Sequence, residues 1–119
     1  MPRLARAGEE LFVGTYNASR RGNLTSGLNA THTPHHVVQD AVSVTTRGQG
    51  ITINLRKDLH ELTTTFGLLR NLPTLRDHLA ADVNELRKLL RNTGYDRATV
   101  HRQLQELIRQ NKAAGGFET

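Results

Sequence analysis

In the C-terminal part of the chain apolar side chains return every three or four positions, and that period leaves few folds open. Leu75, Leu79, Val83, Leu86 and Leu90 fall on one face of a helix that Pro73 fits in its first turn and Gly94 follows as a stop. Asp96 is placed to cap a second helix carrying Val100, Leu104, Leu107 and Ile108 on one face, which Gly115 and Gly116 end. Two apolar faces separated by so short a break bury each other. An antiparallel helix pair is therefore expected over residues 71–112, with a frayed tail from Lys112.

The rest of the chain obeys a different pattern. Residues 1–30 are rich in Gly, Asn, Ser, Thr and Arg and read mostly as loop, with one apolar patch at Leu11, Phe12 and Val13 that forms a strand or a turn of helix. Pro34 forbids a regular central strand or helix interior around it. After Gly48 and Gly50, the run Ile51-Thr52-Ile53-Asn54-Leu55 alternates at period two and predicts a half-buried strand. Asp58 or a neighbour then opens a helix through Leu59, His60, Leu62 and Thr63 that ends near Gly67.

These elements make an α+β chain: a loop-rich part over 1–30, a ββα motif over 31–67 and the C-terminal helix pair. At 119 residues, 36% of them hydrophobic, one modest core is available and a second domain is not. No internal repeat interrupts that organisation. The absence of cysteine removes disulfides, thiolate zinc sites and cysteine nucleophiles, so a metal here has to sit on His, Asp, Glu or Asn. The net charge of +5 has the sign of a chain that meets a polyanion, although a modest excess alone does not identify one. No run approaches the ~20 apolar residues that span a bilayer, and residues 1–10 lack the apolar core of a secretory signal. The opening Met1-Pro2-Arg3-Leu4-Ala5-Arg6-Ala7-Gly8 resembles a cut in a linker and suggests a piece of something larger.

The sharpest chemical feature is the pair His35-His36, followed after a loop and a strand by His60 near a helix start, with Asn54 on the strand between. A ββα-metal nuclease requires this residue set. Phosphodiester hydrolysis needs a base for water, a Lewis acid for the phosphate and leaving oxygen, and a frame that fixes both. Along extended backbone, adjacent side chains face opposite ways, so one histidine of a pair can meet a metal while the other meets water. On this reading His35 and His60 ligate a divalent ion (Mg, Zn, Mn or Ni), His36 is the general base, and Asn54 orients His36 through its carbonyl oxygen.

Plainer readings stand beside it. A histidine pair in a polar loop is commonly surface decoration, and His60 alone reads as an ordinary helix residue. His32 is a less favoured third loop ligand, while His78 and His101 have charged neighbours and read as solvated helix positions. Thr63, Thr64 and Thr65 end the helix or bond its backbone more readily than they bind metal. Arg20, Arg21, Arg47, Arg56 and Lys57 flank the centre in sequence, where they can grip substrate phosphates without reading bases. With two Tyr, three Phe and no Trp there is little material for stacking unpaired bases. DNA is thus favoured over RNA, with RNA cleavage left open.

From about Gly14 to Gly67 the chain resembles the HNH-like (His-Me finger) nuclease domains at the C-termini of bacterial polymorphic toxins. The matching residues are Gly14-Thr15-Tyr16, Gly27, His35-His36, the Gly50 to Leu55 strand, and His60-Glu61-Leu62-Thr63-Thr64-Thr65-Phe66-Gly67. Where that family frequently carries an acid just before the helical histidine, this chain has Leu59, with Asp58 one position earlier. The resemblance implies a DNase toxin exported from its producer, acting in the cytoplasm of a competing bacterium and neutralised at home by an immunity protein. No membrane anchoring is expected.

Two other readings remain: a non-catalytic module that binds nucleic acid or an acidic partner, and a structural metal site that ties loop to helix. Other enzyme classes lack their parts. There is no Gly-x-Ser-x-Gly elbow or phosphate loop, and the eleven acids are scattered mainly through the helices, away from any paired-carboxylate arrangement.

Overall fold

Thr15, which accepts from the Ala18 amide, starts the first helix of the chain at a place where the composition suggested loop. In the computed structural model, which describes residues 3–38, 45–63 and 72–115, this helix α1 (Tyr16–Ser26) follows strand β1 (Val13–Thr15) directly. Gly27 closes it in the left-handed region at φ 84°, where a side chain is disfavoured. Residues 1–30 are therefore not mostly loop. The helix escapes a periodicity test because its buried positions are Ser19 and Asn23, not apolar residues. Gly22 fits the same pattern: a Cβ there would stand 2.5 Å from the Gly8 nitrogen, so the N-terminal segment lies directly on the helix.

Strands β2 (His32–His36) and β3 (Ile51–Arg56) complete an antiparallel sheet in the order β1-β3-β2. Pro34 is accommodated because β2 is an edge strand, where its missing N–H costs no ladder bond on the open side; it lies opposite Asn54. The centre strand β3 departs from the expected half-buried pattern, since Ile51 to Leu55 are all buried. Its apolar residues join the main core. Its polar residues point to the α1 side and are satisfied there: the Thr52 hydroxyl donates to the Gly14 carbonyl at 2.9 Å, and Asn54 exchanges two hydrogen bonds of 2.8 Å with Asn23.

The helix pair forms as expected. Helix α3 (Leu75–Asn92) begins at an N-cap formed by Thr74, one residue after Pro73, and helix α4 (Arg97–Ala114) begins at the Asp96 cap. Leu79, Val83, Leu86 and Leu90 of α3 and Val100, Leu104 and Leu107 of α4 are buried in one cluster with Val13, Ile53 and Leu55. Two glutamines of α4 fasten it to the N-terminal segment, Gln103 donating to the Leu11 carbonyl and Gln110 to that of Val13. His101 is exposed as expected, but His78 is not solvated; it is buried, and its Nε2 accepts from the Leu72 amide.

A short helix α2 (Lys57–Glu61) follows β3 at once. It stops well before Gly67, and the Thr63 hydroxyl turns back to the His60 carbonyl at 2.7 Å. Thr64, Thr65, Phe66 and Gly67 lie outside the described residues, as do Gly116 and the end of the tail. No helix among the described residues is long and apolar enough to cross a membrane.

The Asn23–Asn54 pair is the main side-chain link between α1 and the sheet centre, and neither residue is more than 1% exposed. Asn23→Ala is expected to lower the unfolding free energy by about 2 kcal/mol, because it leaves a buried Asn54 amide without its partner. Urea denaturation followed by circular dichroism measures this. An unchanged midpoint would mean that the pair contributes nothing.

Candidate functional site

The hairpin of β2 and β3 followed by α2 brings two of the three predicted histidines together. His35 pairs with Ile53 across the hairpin, and His60 rises from α2 so that the two Nδ1 atoms stand 3.0 Å apart with the rings edge to face. His35 is only 4% exposed. His60 is half-buried, and that burial holds its imidazole below the ordinary histidine range, with the nearby Glu61 opposing and the His36 charge adding to the shift. The neutral ring, the form that ligates metal, is thereby favoured.

Metal–nitrogen bonds of about 2.0–2.1 Å place two neighbouring imidazole nitrogens about 2.9 Å apart in octahedral and about 3.4 Å apart in tetrahedral geometry. The observed separation falls inside that range. Two neutral imidazoles at this spacing would suit a shared divalent cation, and the same distance is also that of a hydrogen bond between them. Among the described residues no third His, Asp or Glu converges on the pair. Thr64, one turn beyond His60, lies outside them.

His36 sits on the other face of the strand. Its ring stacks on Tyr16 of α1 at 5.1 Å between centroids, nearly parallel, and its Nε2 lies 2.9 Å from the Arg47 carbonyl oxygen. A carbonyl only accepts, so Nε2 carries the proton and the neutral ring presents Nδ1 as its basic atom. Arg47 also lays its guanidinium over Tyr16 at 5.3 Å. His36 is the last residue of β2, and its charge also bears on His60.

The orienting role expected of Asn54 is filled by other groups. Asn54 is committed to Asn23 and to the Glu9 carbonyl, with no reach to His36, and the Arg47 backbone and Tyr16 hold the imidazole instead. His32 is also committed elsewhere, its Nε2 2.7 Å from Glu10 and its Nδ1 2.7 Å from the Thr31 hydroxyl, so it joins neither histidine. Tyr16 was visible in the sequence as part of the Gly14-Thr15-Tyr16 motif. Its ring-stacking role had no signal there, because α1 itself was not legible.

The predicted phosphate contacts divide. Arg20 and Lys57 line a shallow cleft of about 240 Å³ between α1 and β2, together with Tyr16, Asn29 and His32. Arg47 stands at the same Tyr16 ring. Arg56 is withdrawn into a two-pronged ion pair with Asp58, which holds that carboxyl below the usual carboxylate range and Arg56 above its own. The pair also accounts for Asp58, the acid two positions before the helical histidine. Arg21 is exposed on α1 and does not line the cleft.

No protein-family model matches the chain, and neither the curated proteins nor the solved structures contain a significant match to it. Gly50 has a distinct part in the geometry of the site. A Cβ at Gly50 would stand 2.7 Å from His36 Cδ2, so the absence of a side chain there is what lets the imidazole lie against the backbone. Its φ of −62° would suit any residue, which makes space the sole constraint. Gly50→Ala is expected to leave the chain folded but to displace the His36 ring, moving its imidazole nitrogen resonances and breaking the bond to Arg47. Nitrogen–proton correlation spectra of the histidine side chains check this; unchanged His36 signals would show that the ring does not need the gap.

Proposed function

We propose that the chain is a metal-dependent endonuclease that hydrolyses DNA phosphodiester bonds. The observation that carries this reading is the division of labour at the end of β2: His36 is fixed with Nε2 against a carbonyl, while His35, its neighbour, meets His60 at metal-ligand spacing. His36 Nδ1 takes a proton from the attacking water. Tyr16 and the Arg47 carbonyl keep the ring in one orientation while it does so. His35 and His60 would hold a divalent ion, magnesium, manganese, zinc or nickel, which when bound supplies Lewis-acid stabilisation to the phosphate and the leaving oxygen. Arg20, Lys57 and Arg47 receive the flanking phosphates through charge alone, so little sequence selectivity is expected, and RNA is the runner-up substrate.

The resemblance of the Gly14 to Gly67 stretch to toxin nucleases supports the biological setting proposed with it. The domain is exported or injected, acts in the cytoplasm of a competing bacterium, and is held inactive in the producer by an immunity protein.

A second reading has one observation in its favour. A separation of 3.0 Å is also the length of a hydrogen bond between two imidazoles, and such a bond would pin α2 to β2 with no metal and no catalysis. The histidines would then be part of a binding module whose cations hold nucleic acid or an acidic partner.

Supercoiled-plasmid cleavage separates the two. The native chain is expected to nick plasmid with at least one of magnesium, manganese, zinc or nickel and to stop with chelator. His36→Ala should retain calorimetric metal binding and lose about 10²-fold or more in rate, the usual weight of a general base. His35→Ala and His60→Ala should lose metal binding as well. Cleavage by His36→Ala at the native rate would remove the base assignment, and no cleavage in any metal, with His35→Ala lowering only the melting temperature, would establish the structural pair.

A further inference from the structure

The turn joining α3 to α4 gathers positive charge that the proposed site does not use. Arg87 and Arg91 of α3 and Arg97 and His101 of α4 line a cleft of about 120 Å³ around Val100, and Lys88 lines a second cleft beside it that shares Arg87 and Arg91. Three arginines elsewhere are matched to acids, Arg3 to Glu9, Arg56 to Asp58 and Arg109 to Glu106. Among the described residues none of Arg87, Lys88, Arg91 and Arg97 has an acidic partner; Arg87 bonds only the neutral Asn84. Arg87 and Arg91 are also spaced i,i+4, where like charges weaken a helix. A surface that concentrates cations at a cost to its own helices is suited to a polyanion.

The cluster is connected to the candidate site through Tyr95. This residue lies in the turn, two positions before Arg97, and its hydroxyl is pushed up to about 12 by burial, with Glu10 and Arg56 as its polar neighbours. Arg56 is adjacent in sequence to Lys57, which lines the cleft between α1 and β2. Tyr95 thus sets the turn beside Arg56, the residue before Lys57.

We infer that the Arg87–Arg91–Arg97 cluster is a second phosphate-binding site for the backbone of the same nucleic acid, holding DNA at a distance from the bond that is cut. This inference rests on the nucleic-acid reading of the domain, but not on cleavage. Guanidinium groups converging from two helices bind phosphate oxygens without sequence preference, and each contact displaces counterions from the duplex.

The test is the salt dependence of binding to a short DNA duplex, measured by fluorescence anisotropy in the His36→Ala background so that no strand is cut. Arg91→Gln with Arg97→Gln is expected to lower the slope of log affinity against log salt by about 1.8, since each phosphate contact accounts for about 0.9. The charge-conserving Arg91→Lys with Arg97→Lys should keep the slope. Arg6→Gln with Lys112→Gln removes the same charge from two other exposed positions and should leave the slope in place. An unchanged slope in the first variant, an equal fall in the last, or no duplex binding at any salt overturns the inference. Failure of the nuclease reading is distinguished because it would appear in plasmid cleavage while the slopes still differed.

Discussion

A strand buried on both faces can carry polar side chains only if each finds a partner, and the centre strand β3 meets that constraint through α1. Thr52 and Asn54 face away from the apolar core and are satisfied by the Gly14 carbonyl, the Glu9 carbonyl and Asn23. Leaving such groups unpaired would cost more than the hydrogen bonds themselves return. The position of α1 follows from this. Once Asn23 is fixed on Asn54, Tyr16 at the start of the same helix stands over the end of β2, and the wall of the cleft is set.

The period of a strand then sorts the chemistry. His35 and His36 differ by one residue, so one imidazole is directed toward α2 and the other toward α1, and each receives a different environment from the element it meets. Helix α2 offers a second imidazole at 3.0 Å, whereas α1 and the backbone at Arg47 offer an aromatic face and a carbonyl. Shifting the register by one residue would exchange these roles and bury His36 where no carbonyl awaits it. His36, the last residue of the edge strand β2, is partly exposed there, whereas His35 is buried.

What could be read in advance followed from where apolar residues carry the structure. The helix pair was legible because Leu79, Val83, Leu86 and Leu90, and Val100, Leu104 and Leu107, are both periodic and buried, with Thr74 and Asp96 giving the starts. Helix α1 was not legible, since its buried face is Ser19 and Asn23, and small polar residues leave no hydrophobic period. His78 misled for the opposite reason: its charged sequence neighbours suggested solvent, but it lies on the buried face with Leu79 and Asp82. The alternation in β3 marks a strand but not its burial, because the polar positions that usually face water face α1 instead. In the candidate site the histidines were found from their order along the chain. The partner of His36 was missed because a backbone carbonyl has no sequence signature, and Asn54 was credited with a task that its burial beside Asn23 prevents.

Two kinds of interaction therefore support the two sides of the sheet. On the α3 and α4 side, area removed from water dominates, with large aliphatic residues fully buried. On the α1 side there is little apolar area to bury, and hydrogen bonds between asparagines, to the Gly8 carbonyl from Ser26 and to Thr15 at the helix start take its place. Each of these bonds is directional, so it fixes positions more tightly than apolar contact does, while its net contribution to stability is modest. The cleft, Tyr16 and the stacked His36 all belong to this directional side. A base that must hold one orientation is served by such a layer, and the aliphatic side supplies the stability that the polar layer lacks.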